Sequence, residues 1–399
     1  MSMTINTNVS SLTAQRNLSS SQNMLSTSMQ RLSSGLRLNS AKDDSAGLAI
    51  AERMNAQVKG LNVAARNAND GVSLAQTAEG ALSKVGDMLQ RMRELAVQSS
   101  NATNSVDDRK ALQSEVSQLR DEIDRVAKNT SFNGTKLLDG SFAAANFQVG
   151  ANSGETITIA ALTNSSAAGL SKVVYGDVSE VDISMVALNN LAEITDGSLA
   201  ITVAGTAYTL ADLGTARTAE ERMGQVVEAL NRGTADTGVT AFLSKQADGQ
   251  YKVELMSSKL DADGSAVAVS LTGFSAATTG VSATMTIAND NSTSTVGVNE
   301  LSVETAEDAW LAMKQIDDSI KQVNEARATL GAVQSRFENA VSNIQIQSEN
   351  TAAARGRIVD ADFAAETANL SKSQILQQAG TAMVAQANQL PQQVLSLLR

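Results

Sequence analysis

The sequence predicts a mainly α protein with an α+β insert, in which long coiled-coil helices come from both chain termini. Three observations carry that expectation. Apolar residues recur at steps of three, four and seven through both ends of the chain. The middle, residues 140 to 300, switches to short alternating runs among Thr, Ser and Gly. The single proline, Pro391, stands near the far end, so the long stretches ahead of it contain no such helix breaker.

Taken in order, residues 5 to 38 place Leu18, Leu25 and Leu32 one heptad apart, joined by Met29 and Leu36, which makes a narrow seam. From Asp44 to Ser99 a wider rod follows, with Met54, Val58, Leu61, Ala65, Ala68, Val72, Ala75, Leu82 and Leu89 in register. A turn at Asn101 to Ser105 sends back a shorter helix carrying Leu112, Val116, Leu119, Ile123 and Val126. FQVGANSGETITI, from Phe147, predicts a β-hairpin turning between Gly150 and Gly154. SLAITVAGTAYTL, AEERMGQVVEALNR, GVTAFLSK and GQYKVELMSS then predict two strands, a helix and two more strands, with Asp248 and Gly249 as a tight turn. Residues 264 to 299 predict further exposed strands and loops.

Downstream, Trp310, Met313, Ile316, Ile320, Val323, Leu330, Phe337, Val341 and Ile344 restore the rod pattern, and ARGRIVDADF around Gly356 marks a break. The closing segment puts Leu376, Met383, Leu390 and Leu397 one heptad apart, with Gly380, Ala387 and Val394 alongside. Each terminal helix would span about 50 Å at the usual rise per residue. A lone pair of such thin, Ser- and Gln-rich helices gains little from burial against the entropy of ordering them, so both ends are expected to be disordered in an isolated chain.

Composition narrows the function. There is no histidine and no cysteine, which removes the commonest general base, soft metal ligands and thiol nucleophile, and with them any disulfide framework. No SxxK sits beside a Gly-rich turn, and neither GxxxxGK[ST] nor GxGxxG occurs, so the reading is a non-enzyme without cofactor. Asp43 and Asp44 in NSAKDDSAGLAIAERM read as helix-capping acids, and no calcium-loop spacing supports a metal site. The formal net charge is -11, and residues 176 to 300 hold a local balance of -10. Arg16, Arg31, Arg37 and Lys42 precede any acid, yet the acidic total and the lack of an aromatic before Phe132 argue against nucleic acid. No run approaches eighteen apolar residues and the first residues lack a cleavable signal layout, so neither membrane insertion nor the general signal-peptide route is expected. In QRMRELAVQ, residues 90 to 98, Arg91 and Leu95 fall one turn apart on an amphipathic surface whose arginines suit carboxylates of this or another chain.

The runs NSAKDDSAGLAIAERM, GLNVAARNANDGVSLAQTAEGAL, LQRMRELAVQSSN, SFNGTKLLDGSF and the stretch from ARGRIVDADF to the last residue closely resemble bacterial flagellin. The resemblance covers about 180 residues at the start and about 95 at the end, and extends more loosely to the insert. It implies an extracellular, self-assembling subunit of the flagellar filament, used for swimming. Its domains would be an inner coiled coil of residues 1–42 with 357–399, a helical second layer with the β-hairpin from 43–176 with 300–356, and a solvent-exposed variable insert at 177–299. It implies that Leu18, Leu25, Leu32, Leu376, Met383, Leu390, Val394 and Leu397 pack between subunits. Implied partners are further copies of the chain, an export chaperone at the C-terminal helix, filament cap and hook-filament junction proteins, and a host Toll-like receptor meeting Arg91, Leu95 and Glu115. The alternatives are a hook-filament junction protein of the same superfamily and an unrelated coiled-coil adhesin or secretion translocator. A protease embedded in the insert would need HExxH, which a chain without histidine cannot supply.

Overall fold

The structure, a computed structural model, describes residues 8–397 apart from residues 172, 174, 178–180, 184–187, 189, 196, 246–250, 258, 260–266, 282–285 and 290–296. In chain order it runs α1 (Val9–Ser34), α2 (Ser45–Ser99), α3 (Val106–Asn129), β1 (Ser131–Phe132), β2 (Thr135–Lys136), β3 (Ala145–Gln148), β4 (Thr156–Ile159), β5 (Gly176–Asp177) and β6 (Val181–Ile183). It continues through β7 (Ala200–Val203), β8 (Thr206–Thr209), α4 (Ala219–Arg232), α5 (Thr234–Thr237), β9 (Val239–Lys245), β10 (Tyr251–Ser257), β11 (Val269–Thr272), β12 (Thr286–Asn289), α6 (Ala306–Val359) and α7 (Phe363–Leu397). The mainly α architecture with strands in the middle is therefore present. Two compact units divide the chain, one of residues 1–71, 146–157 and 336–399, the other of residues 72–145 and 158–335.

In the first unit the helix ends follow local chemistry. Asn8 accepts from the Ser11 amide at 3.1 Å to start α1, and Gly35, at φ 71°, ends it in the left-handed conformation that glycine adopts without penalty. Leu36, counted in the seam from its spacing, lies beyond that cap and instead bridges Asp360. The break expected around Gly356 falls a few residues later: α6 passes through Gly356 to Val359, and Asp362 then caps α7 by accepting from the Ala364 and Ala365 amides at 2.9 and 3.2 Å. At the start of α2, Asp44 accepts from the Gly47 amide at 2.9 Å. Asp43 takes a separate part, accepting from the Ser40 and Asn39 amides, and these two bonds, Ser40 first, hold its carboxyl below the ordinary range.

The heptads of α2 are buried as two unbroken rows. One is Leu61, Ala68, Ala75, Leu82, Leu89 and Ala96; the other is Ala64, Gly71, Ala78, Val85, Met92 and Ser99. In α6 the matching row is Ala309, Ile316, Val323, Leu330, Phe337 and Ile344, whereas Trp310, Met313, Ile320 and Val341 are half-buried beside it. Within the first unit the expected hairpin, β3 with β4, lays Val149 and Ala151 against Leu61, Ala64 and Ile344, and Asn67 donates to the Gln148 carbonyl at 3.2 Å. Phe147 meets Phe337 edge-on with ring centroids 5.4 Å apart. The Phe337 ring in turn fills the space a side chain at Gly71 would need, since a Cβ there would stand 2.7 Å from it.

The second unit holds the remainder of α2 and α6, the returning α3, and the insert. A capping box starts α3: the Ser105 hydroxyl accepts from the Asp108 amide at 3.2 Å while Asp108 accepts from the Ser105 amide at 3.0 Å. The insert sheet has the strand order β6-β10-β5-β12-β11-β7-β8, with β9 also paired to β10, and its pairs are antiparallel. Met223, Val226 and Leu230 of α4 join Ile201, Val203, Val253, Leu255, Val269 and Leu271 in one core, as the alternation along the strands requires. The Asp248–Gly249 turn lies outside the described residues.

SFNGTK shows no strand pattern in sequence, whereas SLAITVAGTAYTL predicts two strands, and both runs turn tightly. SFNGTK forms a hairpin of β1 and β2 across Asn133 and Gly134, at φ 47° and 81°, and β7 meets β8 across Ala204 and Gly205, at φ 52° and 78°. Both have positive φ at the two central residues, which suits the strand twist but strains an alanine. Ala204→Gly is expected to stabilise the insert by about 1 kcal/mol, read as a higher urea midpoint for the insert transition.

Candidate functional site

In the first unit α1 and α7 pair antiparallel. At one end Asn8 donates to the Ala387 carbonyl at 2.7 Å and the Ser11 hydroxyl donates to Asn388 Oδ1 at 2.7 Å. At the other, Arg31 stands 3.9 Å from Glu366, Ala361 donates to the Gly35 carbonyl at 2.9 Å, and the Arg37 guanidinium donates to the Ile358 carbonyl at 2.6 Å. Midway, Gly380 opens room for Leu18, whose Cδ1 would lie 3.2 Å from any Cβ added there.

What the pair buries is unusual for a helix seam. Among the described side chains, α1 buries Ser11, Ser21 and Ser28, and α7 buries Glu366, Ser373 and Ala387. Leu18, Leu25 and Leu32 are only half-buried. Leu376 and Met383 are exposed, as are Val9, Leu12, Phe363 and Ile375, the last at 65%. Leu18, Leu376, Met383, Val9 and Ala379 line an open groove of about 510 Å³ on this pair. The side chains of Leu390, Val394 and Leu397 lie outside the described residues. A contiguous apolar surface left this bare is uncommon on a soluble chain.

The second unit brings two of the three receptor candidates together. Arg91 of α2 donates to Glu115 of α3 at 2.9 Å and to Glu94 at 2.9 Å, and these carboxylates, Glu94 first, raise the affinity of its guanidinium for its proton. Next to it Arg93 donates to Asp317 of α6 at 2.6 Å, so the arginines of QRMRELAVQ find their carboxylates within the chain. Leu95 is placed apart from that polar surface: at 1% exposure it belongs to the core. Among the described residues no three acidic side chains gather as a metal site, and no helix is long and apolar enough to cross a membrane.

The chain matches the family models described as the bacterial flagellin N-terminal helical region, over residues 5–143, and the bacterial flagellin C-terminal helical region, over residues 313–398. It is 39% identical to a B-type flagellin of Pseudomonas aeruginosa, with all of both chains covered. A solved FliC structure from Burkholderia pseudomallei is 29% identical, covers 67% of this chain and 99% of its own, and superposes with a TM-score of 0.38. The flagellar junction protein FlgL from Legionella pneumophila is 16% identical over 78% of this chain and 99% of its own, at a TM-score of 0.41. The two terminal matches, together with identity at this level along the whole chain, make it a member of the bacterial flagellin family and a structural subunit of the flagellar filament.

Proposed function

We propose that the α1–α7 pair is the assembly element, and that filament growth is the burial of its exposed apolar side chains by neighbouring copies. The observation that carries this is the inverted seam: serines inside, Met383, Leu376 and Ile375 outside. In this reading Leu18, Leu25, Leu32, Leu376, Met383, Leu390, Val394 and Leu397 pack between subunits, and the contact repeats without closing, as an open helical polymer requires. Burial between copies offsets the entropy of ordering both ends, so assembly and ordering are coupled. Residues 1–42 with 357–399 then form the inner layer, 43–176 with 300–356 the next, and 177–299 the solvent-facing insert. The acidic balance of that insert would hold neighbouring filaments apart.

The protein acts without catalysis or cofactor, as a secreted subunit of the extracellular flagellum. Its partners are an export chaperone at α7 and the filament cap and hook-filament junction proteins at the two ends of the polymer. A second role, host Toll-like receptor recognition through Arg91, Leu95 and Glu115, is supported by the exposed Arg91–Glu115 pair. Leu95 would act there by holding the shape of the helical surface.

Coupled ordering predicts that amides of α1 and α7 exchange with solvent within seconds in the isolated subunit and become protected after filament seeds are added. Slow exchange at both ends before seeding, unchanged afterwards, would refute it.

A further inference from the structure

The chain has thirteen methionines and no cysteine, so thioethers are its only oxidisable sulfurs. Nine of the thirteen are described, and they sort by place. Met92, Met223 and Met256 are buried in the second unit, and Met54, Met88 and Met313 are half-buried. The three exposed ones, Met24 at 46%, Met29 at 54% and Met383 at 62%, all belong to the terminal pair. Met383 also lines the groove on that pair. A surface-seeking role would be served by polar residues; flexible thioethers are instead suited to filling irregular gaps against a partner.

We propose that Met24, Met29 and Met383 are separate oxidative modification sites on the terminal pair, at which hydroperoxides convert a subunit able to join the filament into one that cannot. The inference rests on the assembly reading above. In the step, the sulfur lone pair attacks one peroxide oxygen, the O–O bond breaks and an S–O bond forms. The thioether loses two electrons to become a sulfoxide, and hydrogen peroxide leaves as water. The product replaces a soft apolar atom with a strong hydrogen-bond acceptor at a surface that must be desolvated on joining. Around the groove the Thr13 and Ser21 hydroxyls already donate into their own helix, to the Val9 and Asn17 carbonyls at 2.9 Å each. Once a copy has joined, the same burial shields the sulfurs, so the sites read the unassembled subunit only.

The test treats full-length subunits with hydrogen peroxide, maps sulfoxides by peptide mass spectrometry, and measures extension of untreated seeds. Met24, Met29 and Met383 should oxidise about tenfold faster than Met92, Met223 and Met256, and extension should fall about tenfold or more. Methionine sulfoxide reductases of both stereospecificities should restore it. The triple variant Met24→Leu, Met29→Leu, Met383→Leu should keep its own untreated rate after peroxide. Normal extension by oxidised wild-type subunits overturns the proposal, as does equal loss in the triple variant. If that variant does not extend at all, the reductase arm decides: sulfoxide removal without recovery overturns the proposal. Untreated wild-type subunits that fail to extend seeds would instead sink the assembly reading itself.

Discussion

Removing residues 386–399 should abolish filament growth while the second unit stays folded. The cut deletes Ala387 and Asn388, which receive the hydrogen bonds of Asn8 and Ser11, so it unfastens the start of α1 as well as shortening α7. It also removes Leu390, Val394 and Leu397, proposed to be covered by neighbouring copies. At about 1.5–3 kcal/mol for each fully buried side chain, three of them contribute about 5 kcal/mol or more to association, a factor of several thousand. Electron microscopy of seeds mixed with truncated subunits should therefore show no lengthening at concentrations where the intact chain extends them. The helical signal and the insert's unfolding transition should persist, because the buried residues of the insert core fall between 188 and 281. Ordinary filaments from the shortened chain would defeat the proposal.

Leu95→Asp is the second large effect, and its cause is stability. The side chain has 1% exposure among a row of buried neighbours, and an uncompensated charge placed there costs about 3–5 kcal/mol or is neutralised at a similar penalty. That is a large share of the stability of an ordinary domain. Arg91→Ala, by contrast, removes exposed ion pairs to Glu94 and Glu115 worth about 0–1 kcal/mol, so it should leave the fold intact. Urea denaturation should shift the midpoint strongly for the first variant and barely for the second. Receptor signalling lost in both, with the fold lost only in Leu95→Asp, separates a surface residue from one that shapes the surface from beneath. An undiminished midpoint for Leu95→Asp would show that the position is not buried.

Much of the architecture was legible because heptads are an unambiguous signal over many turns. Leu61, Leu82, Leu89, Val323, Leu330 and Phe337 keep the heptad spacing and lie on the buried rows. The second row of α2 escaped notice, since Ala64, Gly71, Ala78 and Ser99 carry too little hydrophobicity to stand out although the geometry buries them. Trp310 and Ile320 misled for the opposite reason: large apolar residues beside a seam read as the seam. The Asn133–Gly134 hairpin was signalled by its dipeptide, but its strands are two residues each and show no alternation. Of the site, the arginines of QRMRELAVQ were legible as partners for carboxylates, but spacing left open whether those lay in this chain or another; nor did it give the depth of Leu95, because a leucine one turn from a polar residue fits either face. In the terminal helices periodicity located the leucines but could not show that serines would occupy the centre.

The fit of the Phe337 ring over Gly71 has a mechanical meaning. Were the ring shifted within the first unit by one heptad, from Gly71 to Ala64, a methyl would stand where glycine leaves a hollow. The ring and the hollow work as a detent. A notch of this kind pins the local register of the two helices where they meet in the first unit.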